Sequence, residues 1–131
     1  MVLNANVEYE KPGLIKVFYP SRDQEIVSPL TIEGEARGTW FFEASFPVKL
    51  LDSRGRVIAQ TPALAQADPT DSVGAGWMTE DYVPFRAVLI FSVPTSTTNG
   101  TLVLEKDNPS GDPSRYDELR IPVIFSDIQM K

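Results

Sequence analysis

The sequence predicts an all-β sandwich of about seven to eight antiparallel strands, and three observations point to it. Short runs rich in Val, Ile, Phe and Thr recur along the 131 residues. The 11 prolines and 8 glycines fall between and within these runs, which is the punctuation of short strands and turns. No window of a dozen residues keeps an i, i+3, i+4, i+7 apolar pattern free of Pro or Gly, so helix is held to a turn or two. Hydrophobic residues at 42% and aromatics at 10% are enough to fill one core. The chain therefore reads as one domain over residues 14–131, with residues 1–13 as an N-terminal extension or edge segment.

Leu14-Ile15-Lys16-Val17-Phe18-Tyr19 reads as the first strand, stopped by Pro20-Ser21-Arg22-Asp23. Val27 through Ala36 reads as the second. On it Leu30, Ile32, Gly34 and Ala36 share the core face, and Thr31, Glu33, Glu35 and Arg37 share the wet one. Ala44, Phe46, Val48 and Leu50 alternate in the same way, and Asp52-Ser53-Arg54-Gly55 turns the chain into Arg56-Val57-Ile58-Ala59, with Gly55 supplying a positive φ. Pro47 points to an edge or a bulge in that strand. Residues 60–84 carry no sustained period and read as a long connection between sheets. Arg86 through Val93 and Gly100 through Glu105 form the next pair, with Asn99-Gly100 as a turn signal. Leu119 through Phe125 closes the order, with Ile121, Val123 and Phe125 inward.

Charge and residue usage exclude several functions. A net charge of −6 lacks the clustered basic face that displaces counterions from a nucleic acid, and anionic membrane surfaces are disfavoured for the same reason. No apolar stretch approaches the roughly 20 residues of a spanning helix, so no membrane insertion is expected. Met1-Val2-Leu3-Asn4-Ala5-Asn6 has neither a basic start nor a long apolar run, so no signal peptide is expected. Cysteine and histidine are both absent, which removes thiol chemistry, the Ser-His-Asp arrangement and nearly all ordinary zinc, copper and iron sites. No metal and no cofactor is expected.

Four tracts in order carry a family resemblance: residues 28–38, from Ser28-Pro29-Leu30 to Gly38; residues 40–52, from Trp40-Phe41-Phe42 to Asp52; Gly76-Trp77-Met78-Thr79-Glu80-Asp81-Tyr82-Val83-Pro84-Phe85; and residues 100–111, from Gly100-Thr101-Leu102 to Gly111. Together they resemble the Gmad2 family, an immunoglobulin-like domain of bacterial spore-germination proteins, over about residues 14–126. The resemblance implies an immunoglobulin-like sandwich serving as an accessory module on secreted or cell-envelope proteins. In germination proteins it accompanies a GerM domain, for which these 131 residues leave no room. It supplies no catalytic residues.

Candidate site residues follow from the aromatics. Trp40, Phe41 and Phe42 are consecutive, so in an extended strand at least one faces outward and offers a stacking platform. A bulge or loop that turns all three inward is the other reading. Trp77 and Tyr82 lie at the end of the 60–84 connection, where Trp77-Met78 and Pro84-Phe85 either pin the loop to the core or frame a recognition surface. Trp40, Phe41, Trp77 and Tyr82 are thus the candidate ligand-binding residues, for a protein or a cell-wall polymer. Asp68, Asp71, Glu80 and Asp81, and separately Asp107, Asn108, Asp112 and Asp117, offer oxygen ligands for calcium or are simply solvated loops. Glu33 and Glu35, about 7 Å apart along one strand face, and Glu43 could pair for glycoside hydrolysis. The function expected is a non-catalytic binding module, with an architectural spacer and a carbohydrate-active enzyme as alternatives.

Overall fold

The computed structural model describes residues 9–11, 13–41, 44–66, 82–92, 98–108 and 110–125. Nine strands run through them: β1 (Tyr9–Lys11), β2 (Ile15–Tyr19), β3 (Gln24–Ile26), β4 (Leu30–Arg37), β5 (Ser45–Leu51), β6 (Val57–Ala65), β7 (Tyr82–Leu89), β8 (Asn99–Glu105) and β9 (Glu118–Phe125). Helix among the described residues is two single 3₁₀ turns, Gly38–Trp40 and Pro113–Arg115.

Hydrogen bonding runs in the order β1-β2-β4-β7-β6-β5-β8-β9-β3. The sheet folds back on itself where β6 meets β7, a seam whose described register pairs are Leu64↔Arg86 and Ala65↔Phe85. One layer is β1-β2-β4-β7 and the other β6-β5-β8-β9-β3, so β4 lies beside β7 and β5, β8 and β9 lie together, as in an immunoglobulin-like sandwich. The Phe46 and Phe85 rings meet edge-on across the layers, 4.9 Å between centroids.

Alternation decides the core. Leu30, Ile32 and Ala36 of β4, Val83, Phe85, Ala87 and Leu89 of β7, and Phe46, Val48 and Leu50 of β5 are all buried. Ile121, Val123 and Phe125 of β9 face the same core, as the period-two reading of that segment requires. Pro47 sits where β5 is paired with β6 but has passed the end of its ladder with β8, which begins at Val48↔Leu104. The strand is locally an edge there, so the missing amide costs no ladder bond. Gly55 has φ +84 in the β5–β6 turn. Asp52 closes that turn by accepting the amides of Arg54 and Arg56, both at 2.9 Å.

The all-β, immunoglobulin-like fold class stands, with nine described strands against the approximate seven to eight expected and with one parallel pair, β3 beside β9, Gln24↔Val123 to Ile26↔Phe125. Element boundaries are corrected in several places. Tyr9–Lys11 is an edge strand on β2, within the segment expected as an extension or edge. Residues 60–65 are strand, because β5 pairs with them from Lys49↔Gln60 to Ser45↔Leu64, and β7 starts at Tyr82. Asn99 and Gly100 lie inside β8, opposite Ile124 and Val123, rather than at a turn. Gly100 is needed for close packing: a Cβ there would meet the Leu51 carbonyl oxygen at 2.5 Å and the Phe125 ring at 2.8 Å.

Candidate recognition groove

β4 ends at Arg37, and the 3₁₀ turn Gly38–Trp40 replaces the period of two by one near three. That change rotates the aromatic run. Trp40 is 1% exposed and Phe41 5%, and the Phe41 ring stands edge-on to Phe46 at 5.3 Å. The exposed platform expected at Trp40 and Phe41 is therefore corrected to core packing, the inward alternative; Phe42 lies outside the described residues. The Trp40 indole Nε1 is buried and has no hydrogen-bond partner among the described residues.

Trp77 also lies outside the described residues. Tyr82 is half-buried on the outer face of the β2-β4-β7 layer, its ring between Lys16 Nζ at 4.6 Å and the Arg37 guanidinium at 4.4 Å. The structure thus places Trp40, Phe41 and Tyr82 apart, in two different settings, and they do not share a surface.

The carboxylates also have partners. Glu33 faces Arg86 at 3.6 Å and Glu35 faces Lys16 at 3.9 Å, so each is half of a cross-strand ion pair on a charged outer face. Glu43 lies outside the described residues, as do Asp68, Asp71, Glu80 and Asp81. Asp117 pairs with Lys11 and accepts the Glu118 amide at 2.8 Å. Among the described residues no three acidic side chains gather into a metal-holding group.

The loop from Lys106 to Asp117 is built by its own side chains. Asn108 donates Nδ2 to the Asp112 carbonyl at 2.8 Å and accepts the Ser110 hydroxyl at 2.7 Å. Asp112 accepts the Ser114 amide at 3.0 Å and its hydroxyl at 2.8 Å, which starts the turn Pro113–Arg115. The Asp107 amide donates to the Trp40 carbonyl at 3.0 Å and ties the loop to the end of β4.

Those bonds hold the Asp112 carboxyl below the usual carboxylate range, the Ser114 amide most and its hydroxyl next. The Arg56 amide does the same for Asp52, outweighing partial desolvation, with Arg54 adding to it. A folded pKa depressed below the unfolded one gives stability that is present above about pH 4 and lost as the pH falls through the folded value. The melting temperature therefore falls below about pH 4, and an Asp52→Asn/Asp112→Asn variant should fall less steeply. Identical slopes in thermal melts across that range would remove these two loops from the acid response.

Beside this loop lie two shallow depressions. One, of about 420 Å³, is lined by Thr39, Phe41, Lys106, Asp107, Asn108, Ser110 and Arg115. The other, of about 330 Å³, is lined by Ser45, Phe46, Pro47, Gln60, Thr61, Pro62 and Asp107. Asp107 lines both, so the two depressions are neighbours, one at the β8–β9 loop and one on the outer face of β5 and β6, and together they form the candidate groove. Of the described aromatic candidates, Trp40, Phe41 and Tyr82, Phe41 is the one that lines it. Lys106, Arg115, Gln60 and Thr61 were not singled out in the sequence; the readable signal was the turn-rich run Asn108-Pro109-Ser110-Gly111 flanked by two cations.

The comparisons with known proteins agree with this architecture. No curated protein and no solved structure matches the chain. A model of the Gmad2 family, the immunoglobulin-like domain of bacterial spore germination, matches residues 14–112. The match runs from the approach to β2 into the β8–β9 loop and includes most of the groove, while β9 follows it and completes the second layer. The chain, an all-β sandwich matched over most of its length by that model, belongs to the Gmad2 family of immunoglobulin-like domains.

Proposed function

We propose that the chain is a non-catalytic recognition module of the bacterial cell envelope or exterior, and that its groove holds an extended cell-wall polymer. The observation that carries this reading is that Asp107 lines both depressions. A single pocket fits a small molecule, whereas two in series suit a chain that continues past each. The walls combine hydroxyl, amide and charged side chains with Phe41 and two prolines, and the loop that carries part of them is braced by its own hydrogen bonds before a partner arrives. Pro47 and Pro62 face each other in register and offer flat C–H surfaces beside these polar groups. Family membership in an immunoglobulin-like domain supports a module of this kind.

Co-sedimentation with purified, insoluble peptidoglycan tests it. The protein is expected in the pellet, and Gln60→Ala/Pro62→Ala should lower the bound fraction about tenfold with an unchanged melting temperature, the loss of one good contact. Protein left wholly in the supernatant would favour the architectural spacer instead.

A further inference from the structure

The cations of this acid-rich chain are mostly spoken for. With 18 Asp and Glu against 12 Lys and Arg, a basic side chain has acidic neighbours to choose from. Lys11, Lys16, Lys49, Arg56, Arg86 and Arg120 each reach a carboxylate. Lys106 and Arg115 meet none among the described residues, and both line the same depression.

Neither position is left to chance. The Lys106 amide donates to the Asp117 carbonyl at 2.9 Å, and the Arg115 amide donates to the Asp112 carbonyl at 2.9 Å. The backbone thus fixes the chain at two basic residues that line the same depression, with Asn108 and Ser110 between them in the chain. An arginine fork takes a planar carboxylate through two parallel N–H bonds, and a lysine beside it adds a point charge.

Among the described residues, no cation lines the other half of the groove. It offers Ser45, Thr61 and Gln60 beside Pro47 and Pro62. Hydroxyl and amide groups next to flat C–H surfaces suit a sugar ring. They do not suit an added peptide strand, because Pro62 withholds the amide that an edge ladder would need at that point of β6.

We infer that the groove takes a carboxylate-bearing glycan, with a sugar unit against the Ser45–Pro62 half and its acid between Lys106 and Arg115. This rests on the recognition reading above and adds the chemical class of the polymer. The neutral half and the cationic half then read alternate features of one repeat, and Asp107, at their junction, disfavours a uniformly anionic chain packed along the whole groove.

Titration calorimetry with polygalacturonate, its fully methyl-esterified form and poly-glutamate tests the inference on the whole chain. The esterified polymer keeps the backbone and loses the charge. Polygalacturonate is expected to bind about tenfold more tightly than the ester, and a Lys106→Gln/Arg115→Gln variant should erase that difference while still binding the ester. Higher salt should weaken only the acidic polymer. Neither side chain reaches a carboxylate among the described residues, so the variant should melt with the wild type. Equal affinity for acid and ester, or an unchanged preference in the variant, would overturn the inference while leaving the recognition reading intact. Poly-glutamate binding as tightly as polygalacturonate would overturn the glycan class. Failure to bind any of the three polymers by a protein that does co-sediment with peptidoglycan would overturn it as well, whereas failure in both assays would sink the recognition reading with it.

Discussion

Gly34→Ala should destabilise the protein by about 3 kcal/mol or more, at or beyond the upper end for a single added methyl group in a packed interior. Gly34 stands in the middle of β4, opposite Val17 on one side and Phe85 on the other. A Cβ built there would lie 2.1 Å from the Lys16 carbonyl oxygen, 2.8 Å from Phe85 Cζ and 3.0 Å from Val17 Cα. Two of these three are backbone atoms of β2, so no rotamer change relieves the contact; β2 must move off β4 or the ladder between them must break. The urea midpoint should drop by more than about 1 M with a similar slope. A midpoint within about 0.3 M of the wild type would mean that β2 can yield at little cost.

The second large effect is at Trp40. It heads the largest fully buried side chains, and truncation to Ala should cost about 3 to 5 kcal/mol and lower the melting temperature by about 10 °C or more. Trp40→Phe should cost clearly less. It keeps most of the ring volume and removes an indole N–H that is buried without a partner among the described residues, and an unmade buried bond costs about 1 to 3 kcal/mol. The order Ala far below Phe, Phe a little below Trp, separates a packing role from a surface one. Fluorescence gives an independent check: in a Trp77→Phe background, Trp40 emission should be nearly insensitive to iodide. Strong quenching together with an unchanged melting temperature in Trp40→Ala would return Trp40 to the surface.

Much of the sandwich was legible because its central strands obey a local rule. β4 and β9 alternate so regularly that their buried residues can be named from spacing alone. Where the structure departs, a distant partner made the decision. Gln60 to Ala65 contains Pro62 and three alanine or threonine residues and has little strand signal of its own; β5 supplies it. Gln24–Ile26 is three residues long, two of them polar or charged, and becomes a strand only because β9, about a hundred residues later, lies alongside. Trp40 was misleading for a different reason. Period-two reasoning holds only while the chain is extended, and the 3₁₀ turn that begins at Gly38 ends that condition two residues before Trp40. The groove was least legible, since Thr39, Gln60 and Lys106 come from three separate parts of the chain and only the folded sheet brings them to one end.

The parallel pairing of β3 with β9 sets how the domain bears tension. Strands joined this way, and drawn in opposite directions from the front of one and the back of the other, load their bonds lengthwise and together, whereas a hairpin opens bond by bond. The three register pairs from Gln24↔Val123 to Ile26↔Phe125, reinforced by the Asp23 amide on the Pro122 carbonyl at 2.8 Å, therefore act as a shear clamp between the leading and trailing parts of the chain. Force drawn through these two strands would meet that clamp, whereas the β5–β6 half of the groove stands outside the β3–β9 pairing.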